Sequence, residues 1–214
     1  MPEVRVFPDI HSQRAFELAL VNRGKRDFWR FVDNLDIPSQ GKGISLFRDI
    51  MAPFQRERFA QIEPSLQAVT RKAMPPCRRF WWEATKGAAK DADIAIILMW
   101  ALMAAQHPIN CQIGAGDRDQ AAIVRERCTM LLHHNPWLRR QIRISQNTIY
   151  CADTNSRAVI ESADAGSAHG TTPDVLILNE LHVTKQEFAE TVLDNADKVA
   201  NGLVIVATNA GELN

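Results

Sequence analysis

Two short segments of the chain contain side chains that could act on phosphate groups, and the first is ATKGAAKD, residues 84–91. Its small residues Gly87, Ala88 and Ala89 would let backbone N–H groups approach a phosphate. The start of a following helix would add partial positive charge, and Lys90 a full one. A standard phosphate-binding loop ends in Gly-Lys-Ser or Gly-Lys-Thr, whereas this one ends in Ala-Lys-Asp. The segment predicts a variant Walker A loop; the alternative is a small-residue turn that bears two lysines.

The second segment is VLILNE, residues 175–180, in which four apolar residues precede Asn179 and Glu180. This is the layout of a Walker B segment. There the first polar residue helps to hold Mg²⁺, and the glutamate orients and polarises the attacking water. The alternative is a buried strand that ends in Asn-Glu without catalytic meaning. Its position 90 residues after Lys90 favours the Walker B interpretation.

Both segments depart from the usual pattern, and the departures are complementary. A P-loop normally offers Mg²⁺ a hydroxyl after the lysine and a carboxylate from the second strand. Here Asp91 follows the lysine, and the second strand offers the neutral Asn179. Mg²⁺ prefers oxygen ligands and keeps several waters, so exchanged ligands would still satisfy it. Alternatively, Asp91 is a first-turn acid that complements the helix dipole.

These segments must be positioned by a sheet, and from residue 79 onward the chain alternates strand and helix patterns. Strands are predicted at about 80–84, 109–115 and 174–179, two short ones within 143–162, and a last one at 203–208; helices are predicted at about 91–106, 117–133 and 185–198. Buried apolar strands that alternate with helices predict an α/β fold, a mostly parallel sheet with helices on both faces. Ligands of such sheets bind at the carboxyl ends of the strands.

The N-terminal part reads as helical and predicts a separate segment. Helices are expected at 12–21 and 25–35, and Pro38–Gly43 is expected to be a loop or linker. A further helix is expected at 53–69, interrupted or capped near Pro64. The predicted division is a helical segment with linker at 1–43 and an α/β domain at 44–214.

Composition excludes a membrane-spanning chain. The longest apolar run, at 94–105, has twelve residues, and a spanning helix needs about 20. Residues 1–79 have fourteen Lys and Arg against nine Asp and Glu, while residues 80–214 have eleven against sixteen. The basic first third could contact nucleic acid or be an ordinary solvated surface. Four widely spaced cysteines, without a C-x-x-C pair, predict free thiols in a reducing cytoplasm.

From about residue 44 to 214 the sequence resembles the large terminase subunit of tailed bacteriophages and prophages. Phe54-Gln55 looks like the family's adenine-contacting glutamine motif, and Lys86 stands four residues before Lys90, where the family has a basic residue. The remaining similar segments follow in the family's order: Gly114–Ala121 as the second-strand segment, Gly166–Gly170 with Pro173-Asp174 before Walker B, and Thr208–Gly211 as the coupling motif that senses the γ-phosphate.

The resemblance implies a P-loop NTPase of the additional-strand-catalytic-glutamate type, in which 44–214 is the ATPase domain. ATP and Mg²⁺ are the implied ligands, with Mg²⁺ held by Asp91 and Asn179. Glu180, Lys90 and Lys86 are the implied catalytic residues. The implied nucleotide contacts are Gln55, Gly87, Ala88, Ala89, Lys90, Asp91, Thr208 and Asn209.

The resemblance further implies a motor that packages double-stranded DNA, with a small terminase subunit and the portal protein as partners. Such motors work as homo-oligomeric rings in the host cytoplasm, transiently at the procapsid portal, and no membrane is involved. The family's nuclease is a separate downstream domain, and Asp194 and Asp197 lie on a helix where they cannot converge on two metal ions. We therefore expect an ATPase fragment that is weak alone and has no nuclease activity.

Two other functions share these motifs: a helicase-like DNA-dependent ATPase, and a nucleotide-binding scaffold with a degenerate loop. His182 could reach the nucleotide, but its spacing from Glu180 favours an ordinary exposed histidine. Arg139, Arg140 and Arg143 could include a finger for a neighbouring subunit's ATP or a DNA contact, or form a solvated surface.

Overall fold

The protein, a computed structural model, is described over residues 7–39, 41, 43–163 and 172–209. Its strands in chain order are β1 (Asp36–Ser39), β2 (Gly43–Leu46), β3 (Arg79–Ala84), β4 (Asn110–Ala115), β5 (Ile142–Ser145), β6 (Thr148–Cys151), β7 (Ser156–Ser162), β8 (Val175–Asn179) and β9 (Leu203–Asn209). Its α-helices are α1 (Ile10–Arg26), α2 (Phe28–Asp33), α3 (Phe47–Ile50), α4 (Pro53–Thr70), α5 (Lys90–Ala104), α6 (Arg118–His134) and α7 (Gln186–Asp197). Single 3₁₀ turns lie at Leu138–Arg140 and Leu181–Val183.

A seven-stranded sheet with the order β3-β9-β8-β4-β7-β6-β5 organises the molecule. The first five strands in this order are parallel, and β6 and β5 continue the sheet as an antiparallel hairpin. The predicted mostly parallel sheet is therefore confirmed. Strand β9 is inserted between β3, which leads into ATKGAAKD, and β8, which ends at Asn179. The carboxyl ends of these three strands consequently lie side by side.

Both faces of the sheet are covered, and its central strands β8 and β9 are buried and apolar up to their polar carboxyl ends. On one face, α5 is buried along almost its whole length within the larger core. On the other face, α7 covers a smaller core formed by alternate residues of β8 and β9, among them Leu176, Leu178, Val204 and Val206. A helix that is apolar all round, as α5 is, has to be enclosed by protein. Its first residue, Lys90, is thereby fixed at the sheet edge.

The N-terminal helices enclose the far side of α5. Trp100 Nε1 donates a hydrogen bond of 2.9 Å to the carbonyl of Gly24. The rings of Phe28 and Trp100 meet edge to face with centroids 5.2 Å apart. Helices α1 and α2 therefore share the main core with the sheet. The division at residue 43 stays a prediction, although the helices before it are packed against the helices that follow it.

The loop predicted at Pro38–Gly43 is too long, because Pro38, Ser39 and Gly43 pair in a two-stranded antiparallel hairpin of β1 and β2, and Gly41 lies in its turn. Gly41 and Gly43 have φ of +72° and +73°, which side-chain-bearing residues rarely adopt, and so permit the reversal. The side chain of Asn135, at the end of α6, binds the backbone N–H and carbonyl of Asp36 at 2.8 and 2.9 Å. This partner is 99 residues away, so local turn residues could not reveal the hairpin.

Two further expectations differ from the structure. Helix α4 continues through Pro64 without interruption, although proline removes one backbone hydrogen bond. Its buried side chains on either side, Phe59, Ile62 and Leu66, hold the helix against the core. In addition, the stretch 143–162 holds three strands where two are predicted, because β7 pairs with both β6 and β4. Among the described residues, no helix is both long and apolar enough to cross a membrane.

Candidate nucleotide site

The loop between β3 and α5 has the backbone expected for binding phosphate. Gly87 has φ of +87°, and Ala89 adopts the left-handed region with φ 56° and ψ 21°. Ala89 caps the helix, and its carbonyl accepts the N–H groups of Ala92 and Asp93 at 3.0 Å each. The first N–H groups of any helix have no partner within the helix, which leaves those of α5 available to an anion at this edge. A left-handed alanine is strained, and such strain is common in ligand loops.

Lys90, Glu180 and Asn209 meet at the carboxyl edge of the sheet, one from each of three adjacent strand ends. Lys90 forms an ion pair with Glu180 Oε1 and donates a 3.0 Å hydrogen bond to Asn209 Oδ1. Asn209 Nδ2 lies 3.3 Å from the same Glu180 oxygen. Lys90 and Glu180 are only 6% and 8% exposed. The structure thus brings together the three residues that the sequence assigns to phosphate, water and γ-phosphate sensing.

The two predicted metal ligands are also adjacent. Asn179 Nδ2 donates a 2.7 Å hydrogen bond to Asp91 Oδ1. With the amide nitrogen facing the carboxylate, Asn179 Oδ1 is buried and has no hydrogen-bond partner within the described part of the chain. A buried oxygen without a partner is unfavourable unless a ligand or water satisfies it. One carboxylate and one such oxygen suit Mg²⁺ held mainly through water. No group of three His, Cys, Asp or Glu residues suited to a metal occurs among the described residues.

Gln55, the predicted adenine contact, uses its amide within the protein. Its Oε1 accepts the N–H of Ala52 at 3.1 Å, and its Nε2 donates to Asp93 Oδ1 at 2.7 Å. Asp93 also forms an ion pair with Arg58. Burial raises the pKa of Asp93 to about 7, although Arg58 and the Gln55 hydrogen bond oppose this shift. Contact of Gln55 with adenine stays a prediction, and the observed contact joins α4 to the first turn of α5.

Lys86 and Thr208 do not join the Lys90 cluster. Lys86 is exposed on the loop, and no hydrogen bond or ion pair of its side chain occurs among the residues described. The Thr208 hydroxyl lies 3.1 Å from His182 Nδ1 on the opposite face of β9 from Asn209. His182 Nδ1 is also 3.3 Å from Glu180 Oε2, in a geometry that does not qualify as a hydrogen bond. The sequence predicted an ordinary exposed histidine at position 182. The 3₁₀ turn after Glu180 folds this residue back onto β9.

The glycines of the predicted second-strand segment permit close packing beside this site. A Cβ on Gly116 would lie 3.0 Å from the carbonyl oxygen of Val183, in the turn that bears His182. A Cβ on Gly114 would lie 2.9 Å from Leu178 Cδ2 and 3.1 Å from a ring carbon of Phe188. These are closer than ordinary contacts. The two glycines thus set how near β8 and the following turn approach β4.

The other segments that carry the resemblance lie away from the site or outside the described residues. Asp174 precedes β8 at its amino end, where its carboxylate accepts the N–H of Asn110 at 2.8 Å. Its backbone also bonds to Asn110 and to Leu203, so it aligns β8 with β4 and β9. Gly166–Gly170 and Gly211 lie outside the described residues.

A pocket of about 520 Å³ lies between α6 and β7 rather than at the Lys90 cluster. Its lining includes Arg118, Arg125, Asn147 and Glu161, and none of the predicted site residues.

Together, the strand order, the loop and the glutamate define a class. A mostly parallel sheet with an additional strand between the strands of the predicted Walker A and Walker B segments, and a glutamate after the latter, has the additional-strand-catalytic-glutamate P-loop NTPase fold.

Comparison with solved structures places the chain among phage large terminases by fold. The large terminase of bacteriophage HK97 is 21% identical, with a TM-score of 0.67 over 86% of this chain. The ATPase domain of the Thermus phage P74-26 large terminase is 18% identical, with a TM-score of 0.50 over 64% of this chain. The resemblance inferred from the sequence motifs is thus confirmed for the fold. At this level of identity the similarity shows the fold alone.

The present chain spans only part of these proteins. The matched region is 37% of the HK97 chain and 61% of the P74-26 domain. No protein-family model matches the sequence, and a search of curated proteins finds no similar sequence. Activity, substrate and partners are therefore matters for proposal.

Proposed function

We propose that this chain is the ATP-hydrolysing motor domain of a phage DNA-packaging terminase. The observation that supports the proposal is the convergence of Lys90, Glu180 and Asn209 at the carboxyl edge of a sheet with an inserted strand. Each of the three follows or ends a different strand, so a triphosphate bound at this edge could meet all three. The fold shared with large terminases agrees with this proposal.

Binding of ATP would separate the Lys90–Glu180 ion pair. The β- and γ-phosphates carry more negative charge than one carboxylate, so Lys90 would turn to them, together with the N–H groups that begin α5. Glu180 would then be an unpaired buried carboxylate beside the γ-phosphate, suited to accept a proton. The pair observed without nucleotide is therefore a resting arrangement that ATP would open.

In the hydrolytic step, a water oxygen attacks the γ-phosphorus while the bond from phosphorus to the β–γ bridging oxygen breaks. Glu180 receives the water's proton, and ADP and phosphate leave. Asp91 and Asn179 would hold Mg²⁺, which when bound neutralises charge on the phosphate oxygens. Asn209, within reach of both Lys90 and Glu180, would respond to the presence of the γ-phosphate.

Glu180→Gln tests this assignment. The variant should bind ATP at least as tightly as wild type, because no ion pair with Lys90 has to open. Its turnover should fall at least about 100-fold, because the amide cannot accept the proton. Titration with a fluorescent nucleotide measures the affinity for ATP, and phosphate release measures turnover. Glu187→Gln, an exposed glutamate on α7, is the matched control and should behave as wild type. Turnover by Glu180→Gln equal to that of the control would refute the motor proposal.

Double-stranded DNA is the proposed polymer substrate, with a small terminase subunit, the portal protein and further copies of this chain in a ring as partners. The proposed location is the host cytoplasm, transiently at the procapsid portal. ATP turnover measured with duplex and with single-stranded DNA separates this proposal from the helicase-like alternative, because a packaging motor should respond to the duplex. Absence of Mg²⁺-dependent turnover under both conditions would favour the nucleotide-binding scaffold.

A further inference from the structure

The two carboxylate oxygens of Glu180 face different partners. Oε1 contacts Lys90 and Asn209. Oε2 lies 3.3 Å from His182 Nδ1, and the same nitrogen lies 3.1 Å from the Thr208 hydroxyl. Thr208 and Asn209 are consecutive, so the end of β9 reaches one oxygen directly and the other through His182.

The backbone of Glu180 is held in place, which leaves only its side chain free to turn. Its N–H donates to the carbonyl of Ala207 at 2.8 Å. Its carbonyl accepts the N–H of Val183 at 3.1 Å and the hydroxyl of Thr184 at 3.0 Å. Its φ of 58° lies in the left-handed region, so the chain reverses there and brings His182 back towards the carboxylate. The orientation of the carboxylate therefore depends on the groups around its two oxygens.

The separate contacts of the two Glu180 oxygens become important once ATP is bound. On the function proposed above, Lys90 then moves to the phosphates and Oε1 loses its cationic partner. His182 remains beside Oε2, with a second contact to β9 through Thr208. Reacting groups must be held within about 0.5 Å of the productive geometry for efficient reaction. A group that restrains Glu180 from the side opposite Lys90 would supply that precision.

We propose that His182 is a positioning residue that orients Glu180 towards the attacking water and links it to Thr208. The inference rests on the proposed function, because it assigns to Glu180 the role of proton acceptor. The imidazole Nδ1, which lies 3.1 Å from the hydroxyl and 3.3 Å from Oε2, would donate to Oε2 when the carboxylate turns away from Lys90. A shift of the end of β9 would move Thr208 and, through His182, the carboxylate.

The proposal can be tested because it uses the Nδ1 nitrogen of the His182 ring and not Nε2. Asparagine places its amide nitrogen where Nδ1 lies, whereas glutamine is one methylene longer and places it near Nε2. His182→Asn should keep turnover within about threefold of wild type. His182→Gln and His182→Ala should both lower kcat by about 10- to 100-fold, the usual effect of losing an outer partner of a catalytic group. KM for ATP should stay unchanged in all three, because on this proposal His182 acts on Glu180 and not on the nucleotide.

An NMR measurement that needs no catalysis examines the contact between His182 and Thr208. The chain has six histidines, and ¹⁵N-labelled imidazoles can be observed in nucleotide-free protein, with His182→Asn to assign the signal. Thr208→Val should shift the His182 Nδ1 resonance and leave the other five in place. Equal kcat losses in the Asn and Gln variants, or an unshifted resonance, would overturn the inference.

The outcome distinguishes this inference from the function on which it rests. Full activity of His182→Ala alongside an inactive Glu180→Gln would remove the role of His182 and leave the ATPase proposal intact. Full activity of Glu180→Gln would instead remove the ATPase proposal. If His182→Ala fails to fold, the contrast between the Asn and Gln variants decides.

Discussion

The ion pair between Lys90 and Glu180 should make Lys90 a stability determinant as well as a catalytic residue. Replacing it by Met keeps the shape of the side chain and removes its charge. Only 7% of the Lys90 side chain and 10% of the Glu180 side chain are exposed. Lys90→Met therefore leaves a carboxylate that water reaches poorly. Its remaining neighbours are Asn209 and His182, each 3.3 Å away.

The size of the effect follows from the burial of the pair. Removing one partner of a buried ion pair costs about 3–5 kcal/mol. Because Asn209 still donates a hydrogen bond to Glu180 Oε1, we expect the lower end, about 3 kcal/mol. For a chain of 214 residues, each kcal/mol lowers Tm by about 2–4 °C, so Tm should fall by about 6–12 °C. Replacing both charges, as in Lys90→Met with Glu180→Gln, should return Tm to within about 4 °C of wild type.

Differential scanning calorimetry at pH 7 without nucleotide measures these shifts. Lys86→Met is the matched control, because it removes a lysine from the same loop whose side chain is exposed, and its Tm should stay within about 2 °C of wild type. A Tm of Lys90→Met equal to that of the control would refute the reasoning. So would a double variant whose loss equals the sum of the two single losses, because the charges would then not be coupled.

The other two predictions concern the metal ligands and a buried acid. Asp91→Ser should raise the Mg²⁺ concentration needed for half-maximal ATP turnover. Adding Asn179→Asp should bring this concentration back towards the wild-type value, with a coupling of about 0.5–3 kcal/mol between the two positions. Additive effects in a Mg²⁺ titration would show that the two positions share no ion. Because burial raises the pKa of Asp93 from 3.8 to about 7, the folded state retains a proton that the unfolded chain releases. Relative to Asp93→Asn, the free energy of unfolding of the wild type should therefore fall as pH rises from about 4 to about 7. Urea denaturation at pH 4.5 and 8 measures this, and the opposite trend would mean that Arg58 keeps the carboxylate charged.

Much of this fold follows from local patterns. The continuous apolar runs of β8 and β9 and the helical periodicity between them predict a parallel sheet, since only strands covered on both faces are apolar throughout. The polar residues at their ends, Asn179 with Glu180 and Thr208 with Asn209, consequently had to lie at one edge. Lys90 after a small-residue turn had to begin a helix at that same edge. For these residues the parallel arrangement of the strands was sufficient, because it places all their carboxyl ends at one edge of the sheet.

Only the tertiary structure decided the contacts between side chains that are distant in sequence, because the identities of these residues suggest no particular partner. The family resemblance implied a nucleotide contact at Gln55, and the structure shows that its amide donates to Asp93, which lies 38 residues later. Asn135 binds the backbone of Asp36 in the β1–β2 hairpin, part of which was predicted from turn residues to be a loop. His182 acquires its neighbours because a left-handed Glu180 and a single 3₁₀ turn reverse the chain there. The sequence determines which groups occur at the strand ends, but side-chain rotamers and turns set the distances between those groups. At hydrogen-bonding range, a difference of about 0.5 Å decides which groups interact.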